Sequence, residues 1–104
     1  EGFGLPVLEA MACGTPVVAS RRGALAEIAG PAITCDPLSV EDIARAIVEA
    51  RDPARRTQLV QAGLEHAKRF TWERSAHLTL DVLAEAIGTR HATTVSSHTR
   101  REDR

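Results

Sequence analysis

The chain has 104 residues, a formal net charge of −1 and 26% charged residues, which is an ordinary composition for a globular protein. Its charge balance and its small aromatic content (two Phe, one Trp) exclude a nucleic-acid-binding protein, so no nucleic acid is expected as a partner. The two cysteines, Cys13 and Cys35, form neither a CxxC pair nor a metal-ligand cluster, and we expect reduced thiols, a cytoplasmic protein, no bound metal and no cofactor.

The first part of the chain predicts two short strands that alternate with helices. Residues 1–4 form a glycine-containing loop, and residues 5–13 form a short helix with proline near its start. Residues 16–20 are an apolar, β-branched run typical of a strand covered on both faces. A helical turn over residues 24–29 and a second strand over residues 31–35 follow. This order predicts an α/β domain with a parallel sheet.

The remainder is predicted to be helical. Ser39, Asp52 and Thr71 are expected to cap three successive helices, the last of which ends at Gly88. Residues 89–104 have almost no apolar content and are expected to be a disordered tail. The side chains expected to be buried are Val40, Ile43, Ala44, Ile47 and Val48 in the first helix, Leu59, Gly63, Ala67 and Phe70 in the second, and Trp72, Ala76, Leu80, Leu83 and Ile87 in the third.

The start of the chain carries the most informative pattern. In open parallel sheets, ligands bind beyond the carboxyl ends of the strands, so the loops 1–4 and 20–23 are expected to face one crevice. The helix that follows the first loop directs its N–H groups into that crevice, which favours a phosphate. Gly2 and Gly4 allow close backbone approach. Glu9 is placed to bind a ribose diol and Glu1 the hydroxyls of a second sugar; the alternative is that both are ordinary surface charges.

The residues 1–20, EGFGLPVLEAMACGTPVVAS, resemble the donor-site segment of the group 1 (family 4) glycosyltransferases, whose signature is two glutamates separated by seven residues with this glycine pattern. Weaker similarity continues to about residue 87. The resemblance implies a partial Rossmann-like C-terminal domain of a GT-B glycosyltransferase, with parallel strands followed by C-terminal helices. Residues 1–88 would form the C-terminal part of the nucleotide-sugar binding domain. We therefore expect this chain to be a piece of a longer protein whose earlier strands lie upstream.

The family's site residues transfer by position. Glu1 resembles the catalytic-site glutamate beside the transferred sugar, and Glu9 resembles the glutamate that binds ribose. The substrate-binding residues implied by the resemblance are Gly2, Phe3, Gly4, Leu5 and Glu9. One departure is that Ala24 and Ala26 stand where the family often has Gly and Pro. The basic pair that holds the diphosphate in such enzymes belongs to a segment upstream of Glu1.

The resemblance implies transfer of a hexose from a nucleoside-diphosphate sugar to a carbohydrate, lipid or small-molecule acceptor, with retention of anomeric configuration. It leaves open a peripheral membrane contact through an upstream domain. The isolated chain is expected to be inactive. The alternative is a non-catalytic nucleotide-sugar-binding module or a degenerate partner subunit. A dinucleotide-dependent oxidoreductase is disfavoured, because no GxGxxG follows a strand.

Overall fold

A computed structural model describes the backbone of residues 2–99 and the side chains of residues 2–88. The chain divides into two compact units, Glu1–Arg69 and Phe70–Arg104. In the described range the elements, in chain order, are α1 (Leu5–Ala12), β1 (Val18–Ser20), α2 (Ala24–Ile28), β2 (Ile33–Cys35), α3 (Val40–Arg51), α4 (Pro53–Ala67) and α5 (Trp72–Thr99). The alternation of helices and strands confirms the predicted α/β class.

The two strands pair in parallel, as predicted. The register pairs Val18 with Ile33 and Ser20 with Cys35. Both strands therefore end at the same side of the sheet, which we call the carboxyl edge; it is marked by Ser20 and Cys35. The opposite side, where Val18 and Ile33 begin the strands, is the amino edge. One further backbone bond, from the Arg21 N–H to the Cys35 oxygen (3.1 Å), continues the pairing beyond the end of β1.

Apolar side chains form a core on each face of the sheet. The first core joins α1 and α2 to β1 through Val7, Leu8, Met11, Ala19, Ile28 and Ala29. The second joins β2 to α3 and α4 through Ile33, Cys35, Ala46 and Leu59. Side chains alternate between the faces along a strand, so Ala19 and its neighbour Val18 contribute to different cores. Coverage of both faces explains why the strands read as apolar runs without polar alternation.

Helix α4 lies at the amino edge. A Cβ atom at Gly14, which precedes β1, would lie 3.7 Å from Val60 of α4. The Nε2 atom of His66, near the end of α4, is 2.9 Å from the carbonyl oxygen of Ile28, shortly before β2. Since residues on the amino side of both strands contact α4, this helix is located away from the carboxyl edge.

The predicted caps are confirmed at three helix starts. Ser39 Oγ accepts a hydrogen bond from the Asp42 N–H (3.2 Å), and Asp52 Oδ2 accepts one from the Arg55 N–H (2.9 Å). Thr71 Oγ1 accepts one from the N–H of Arg74 (3.1 Å). These bonds satisfy donors that the first turn of a helix leaves without intrahelical partners.

The predicted buried face of α3 is wrong except at Ile43. Val40 and Val48 are 78% and 70% exposed, whereas Ala46 is fully buried. Ile43 and Ala50 pack with Ala46 against the second core. The helix therefore turns a narrow face of mostly small side chains to the sheet, because small residues allow close approach, and its larger β-branched residues lie outside that face.

Three further expectations need correction. Helix α5 continues through Gly88 to Thr99, so part of the predicted tail is helical, and residues 100–104 lie outside the described residues. A single glycine costs only about 1 kcal/mol in a helix, and helix formers such as Ala84 and Ala86 precede it. Trp72 is 89% exposed, although it was expected to be buried, and Cys13 is exposed as well. None of the described helices is both long enough and apolar enough to span a bilayer.

Candidate functional site

The backbone donors at the N-terminus of α1 are not all bonded within the helix. Gly4 is the N-cap, with φ 94° and ψ 35°, a left-handed conformation that favours glycine. A glycine cap supplies no side chain, and no side-chain hydrogen bond caps this helix. Pro6 has no N–H, and the Val7 N–H already donates to the Gly4 oxygen (3.1 Å). The Leu5 N–H has no acceptor within the helix.

This N-terminus lies at the carboxyl edge of the sheet. Helix α1 ends at Ala12, and only residues 13–17 separate it from β1. Because this connection is short, β1 must run antiparallel to α1. Ala19 of β1 packs against the buried side chains of α1. The start of α1 and the end of β1 are therefore on the same side. The predicted juxtaposition of loop 1–4 with loop 20–23 is supported by this topology.

Glu9 lies on the exposed face of α1. The buried residues of the helix are Val7, Leu8 and Met11, and Glu9 is on the face away from them, one turn after the half-exposed Leu5. Helical side chains lean toward the N-terminus, so the Glu9 carboxylate extends toward the turn that begins at Gly4. Among the described residues, none donates a hydrogen bond to this carboxylate. The position leaves it accessible to a ligand.

The remaining predicted site residues are distributed around the same turn. Gly2 and Phe3 are exposed, Gly4 is buried and Leu5 is 54% exposed. A Cβ atom at Gly2 would meet nothing within 4 Å, so this position is open. Glu1, the predicted catalytic residue, lies outside the described residues, and its role stays a prediction. In the described range, no group of three or more His, Cys, Asp and Glu side chains converges in a way that would hold a metal ion.

At the carboxyl edge, a network of ion pairs and hydrogen bonds joins the loop after β1 to the loop after β2. The sequence did not predict this network. Asp42, in the first turn of α3, pairs with Arg21 of the loop after β1. The same carboxylate accepts the backbone N–H of Asp36, just after β2, at 2.7 Å. Its second oxygen accepts Nε–H of Arg45 at 2.8 Å. Arg22 is 3.4 Å from Asp36 Oδ1.

The environment of Asp42 favours its ionised form. The backbone hydrogen bond from Asp36 is the main cause that lowers the pKa of the Asp42 carboxyl below 3.8, and the hydrogen bond from Arg45 adds to it. The same contact with Asp42 raises the pKa of Arg45. Asp42 is therefore a fixed negative charge at neutral pH.

The sequence predicts the contact of Asp42 with Ser39 in its own helix, but not the contacts of Asp42 with the two loops. The spacing of Ser39 and Asp42 predicts a capping box, and the first of its two hydrogen bonds is present. The Asp42 side chain turns instead to Asp36 and Arg21, which lie outside its own helix. Arg21 and Arg22 each pair with a carboxylate.

Comparison with known proteins identifies the family to which the chain belongs. Residues 1–66 match the family model described as glycosyl transferases group 1. The chain is 42% identical over 83 residues to O-antigen chain mannosyltransferase B of Escherichia coli, covering 78% of this chain and 22% of that protein. It is 42% identical over 93 residues to D-inositol 3-phosphate glycosyltransferase of Saccharomonospora viridis, covering 84% of this chain and 21% of that protein.

A third relative is the MMP alpha-(1->4)-mannosyltransferase of Mycolicibacterium hassiacum, 40% identical over 93 residues that cover 84% of this chain and 23% of that protein. The chain thus spans about a fifth of the length of these curated relatives. The matched segment includes α1, both strands, α2 and α3, which form the carboxyl edge and its loops. The chain belongs to the group 1 glycosyl transferases.

Proposed function

We propose that the protein containing this chain transfers a hexose from a nucleoside-diphosphate sugar to an acceptor and retains the anomeric configuration. The observation that carries the proposal is the arrangement at the start of α1. A helix N-terminus whose Leu5 N–H has no acceptor within the helix, a positive-φ glycine and the accessible carboxylate of Glu9 lie together at the carboxyl edge. Diphosphate, sugar and ribose require these three kinds of group.

The chemistry of the proposal follows from charge. Departure of a nucleoside diphosphate leaves positive charge at the anomeric carbon and negative charge on the leaving phosphate. The backbone N–H groups at the start of α1 would stabilise the phosphate charge. Glu1 would orient the sugar hydroxyls and offset the positive charge on the sugar. Glu9 would accept hydrogen bonds from the ribose hydroxyls and so fix the position of the nucleotide in the site.

The names of the relatives support a hexose as the transferred group. Two are described as mannosyltransferases, and a third as acting on D-inositol 3-phosphate. A carbohydrate, a lipid-linked sugar or a small polyol phosphate is the acceptor class that we propose. Because both cysteines of this chain are free thiols, we also propose a cytoplasmic location.

The test is donor binding and transfer by the full-length protein. Calorimetric titration with UDP-glucose, GDP-mannose and ADP-glucose should identify one donor that binds in the micromolar range. Transfer to an acceptor should then yield a product whose anomeric proton shows the same configuration as the donor by NMR. Inversion would contradict the mechanism. Donor binding without transfer to any acceptor would favour the non-catalytic binding module.

A further inference from the structure

The carboxyl edge depends on one side chain that belongs to neither of its loops. Asp42 is the first-turn aspartate of α3, and its side chain is only 21% exposed. It binds Arg21 of the loop after β1, and the backbone of Asp36 in the loop after β2. Arg45, one turn later in α3, binds the other carboxylate oxygen and also donates to the carbonyl oxygen of Thr34 (3.2 Å).

Both loops are further tied to this network locally. The N–H of Arg22 donates to Ser20 Oγ (3.1 Å), and the guanidinium of Arg22 is 3.4 Å from Asp36. Asp36 Oδ1 in turn accepts the Leu38 N–H at 3.0 Å. The loops contain no apolar core residue of their own, so polar contacts fix their conformation. Of these contacts, those of Asp42 connect both loops to a helix.

We infer that Asp42 is a positioning residue for the donor: it holds the loops after β1 and β2 in the arrangement that the nucleotide-sugar site requires. This inference rests on the proposed function. Asp42 does not touch the N-terminus of α1. It acts through Arg21 and Asp36, which lie at the same edge of the sheet as that N-terminus. Loosening these loops should therefore weaken donor binding before it affects the chemical step.

The experiment compares Asp42→Asn with Asp52→Asn in the full-length protein. Both aspartates accept a backbone N–H near a helix start, but Asp52 begins α4, at the opposite end of α3. Asparagine keeps the size of the side chain and removes its charge. The donor is whichever of UDP-glucose, GDP-mannose and ADP-glucose binds the unaltered protein.

We expect Asp42→Asn to raise the KM for that donor about threefold to tenfold, the size typical of residues that act through neighbours, with a smaller change in kcat. Hydrogen exchange should increase in residues 20–23 and 36–39. Asp52→Asn should leave the donor KM and the exchange of these loops unchanged. An Asp42→Asn protein with unaltered donor KM, or an equal rise in Asp52→Asn, would overturn the inference.

The proposed function fails in a different way. If the unaltered full-length protein binds none of the three donors, the donor site itself is refuted, and the positioning role is overturned with it. If donor binding is present and only the Asp42 effect is missing, the proposed function stands and the inference alone is wrong.

Discussion

At the scale of single residues, Glu9 is the candidate site residue whose role can be tested most directly. We expect Glu9→Ala in the full-length protein to weaken donor binding by about 1–3 kcal/mol, because it removes hydrogen bonds to a charged acceptor. Calorimetric titration of the donor measures the change. The control is Glu65→Ala, since Glu65 is also an exposed helical glutamate, paired with Lys68, in the last turns of α4 near the amino edge. Equal donor affinity in the Glu9→Ala and unaltered proteins would remove Glu9 from the site.

Gly30 is a residue at which conformation and space both require glycine. Its φ is +48°, and a Cβ atom would lie 2.4 Å from Cε1 of His66. Gly30→Ala should therefore destabilise the chain by about 2–3 kcal/mol, from the left-handed backbone and from the lost bond between His66 and Ile28. Thermal unfolding followed by circular dichroism measures this.

A double substitution separates the two contributions at Gly30. His66→Ala removes the ring that the new methyl group would meet, so Gly30→Ala should cost less in the His66→Ala background than in the unaltered chain. Strictly additive effects would show that the His66 ring moves aside without a free-energy penalty. The destabilisation by Gly30→Ala would then come from backbone conformation alone.

At the scale of elements, two helical glycines should respond oppositely to alanine. Gly63 in α4 would place its Cβ atom 3.2 Å from Met11 Cγ and 3.4 Å from Met11 Cβ, whereas a Cβ atom at Gly88 in α5 meets nothing within 4 Å. Alanine gains about 0.5–1 kcal/mol of helix propensity at either position. At Gly63 overpacking should exceed this gain, with a net loss of about 1 kcal/mol.

Amide hydrogen exchange measures the two glycine substitutions separately in their own helices. Protection in α5 should rise in Gly88→Ala and protection in α4 should fall in Gly63→Ala. A stabilised α4 would mean that Met11 shifts without cost and that the contact between α1 and α4 is looser than the distances indicate.

The N-terminal turn of α3 has a defined pH dependence. The pKa of Asp42 is lowered from 3.8 by its bonds to Asp36 and Arg45. A carboxyl with a lowered pKa contributes stability that is present above its unfolded pKa and is lost as the pH falls through its folded pKa. The difference in unfolding midpoint between the unaltered chain and Asp42→Asn should therefore be constant near neutral pH and shrink below pH 3.8.

Urea unfolding of both proteins between pH 7 and pH 2.5 checks this dependence. Asp52→Asn serves as the comparison, since Asp52 also accepts a backbone N–H at a helix start. A midpoint difference for Asp42→Asn that stays the same down to the lowest pH would contradict the assignment of the ionised form.

The elements that the sequence predicted well are those with local signals. These signals determine structure within a few residues of themselves. They are the prolines near helix starts (Pro6 and Pro53), the caps (Ser39, Asp52 and Thr71) and the apolar runs of both strands. The buried face of α3 could not be read in the same way, because Val40 and Val48 are as apolar as a core residue but are exposed. Which face packs is decided by partners far along the chain, such as Leu59.

The same division applies to the candidate site. The glycine pattern and Glu9 could be proposed as a site from the sequence because they lie within nine consecutive residues. From the sequence, Asp42 could be recognised only as the capping-box partner of Ser39, since its contacts with Arg21 and Asp36 depend on the parallel pairing of β1 with β2. When a sheet brings two loops together, the residues in contact are not separated by a fixed number of positions, so no sequence pattern predicts the contact.

At the scale of the whole molecule, the proposed function implies that the chain contains only part of the donor site. It spans about a fifth of its curated relatives, and the groups that would complete the site are not among its described residues. We expect the 104-residue chain alone to transfer no sugar from UDP-glucose, GDP-mannose or ADP-glucose. A coupled assay for released nucleoside diphosphate, run beside the full-length protein, measures this, and turnover by the chain alone would refute the expectation.

The location of α4 at the amino edge has a consequence for how such a protein can diversify. The packing of α4 against Met11, Gly14 and Ile28 is at the end of the sheet opposite the loops after β1 and β2. Exchange of loop residues such as Arg22 or Pro37 therefore leaves that packing intact. On the proposed function, substitutions in these loops can change donor preference while substitutions around α4 change thermal stability.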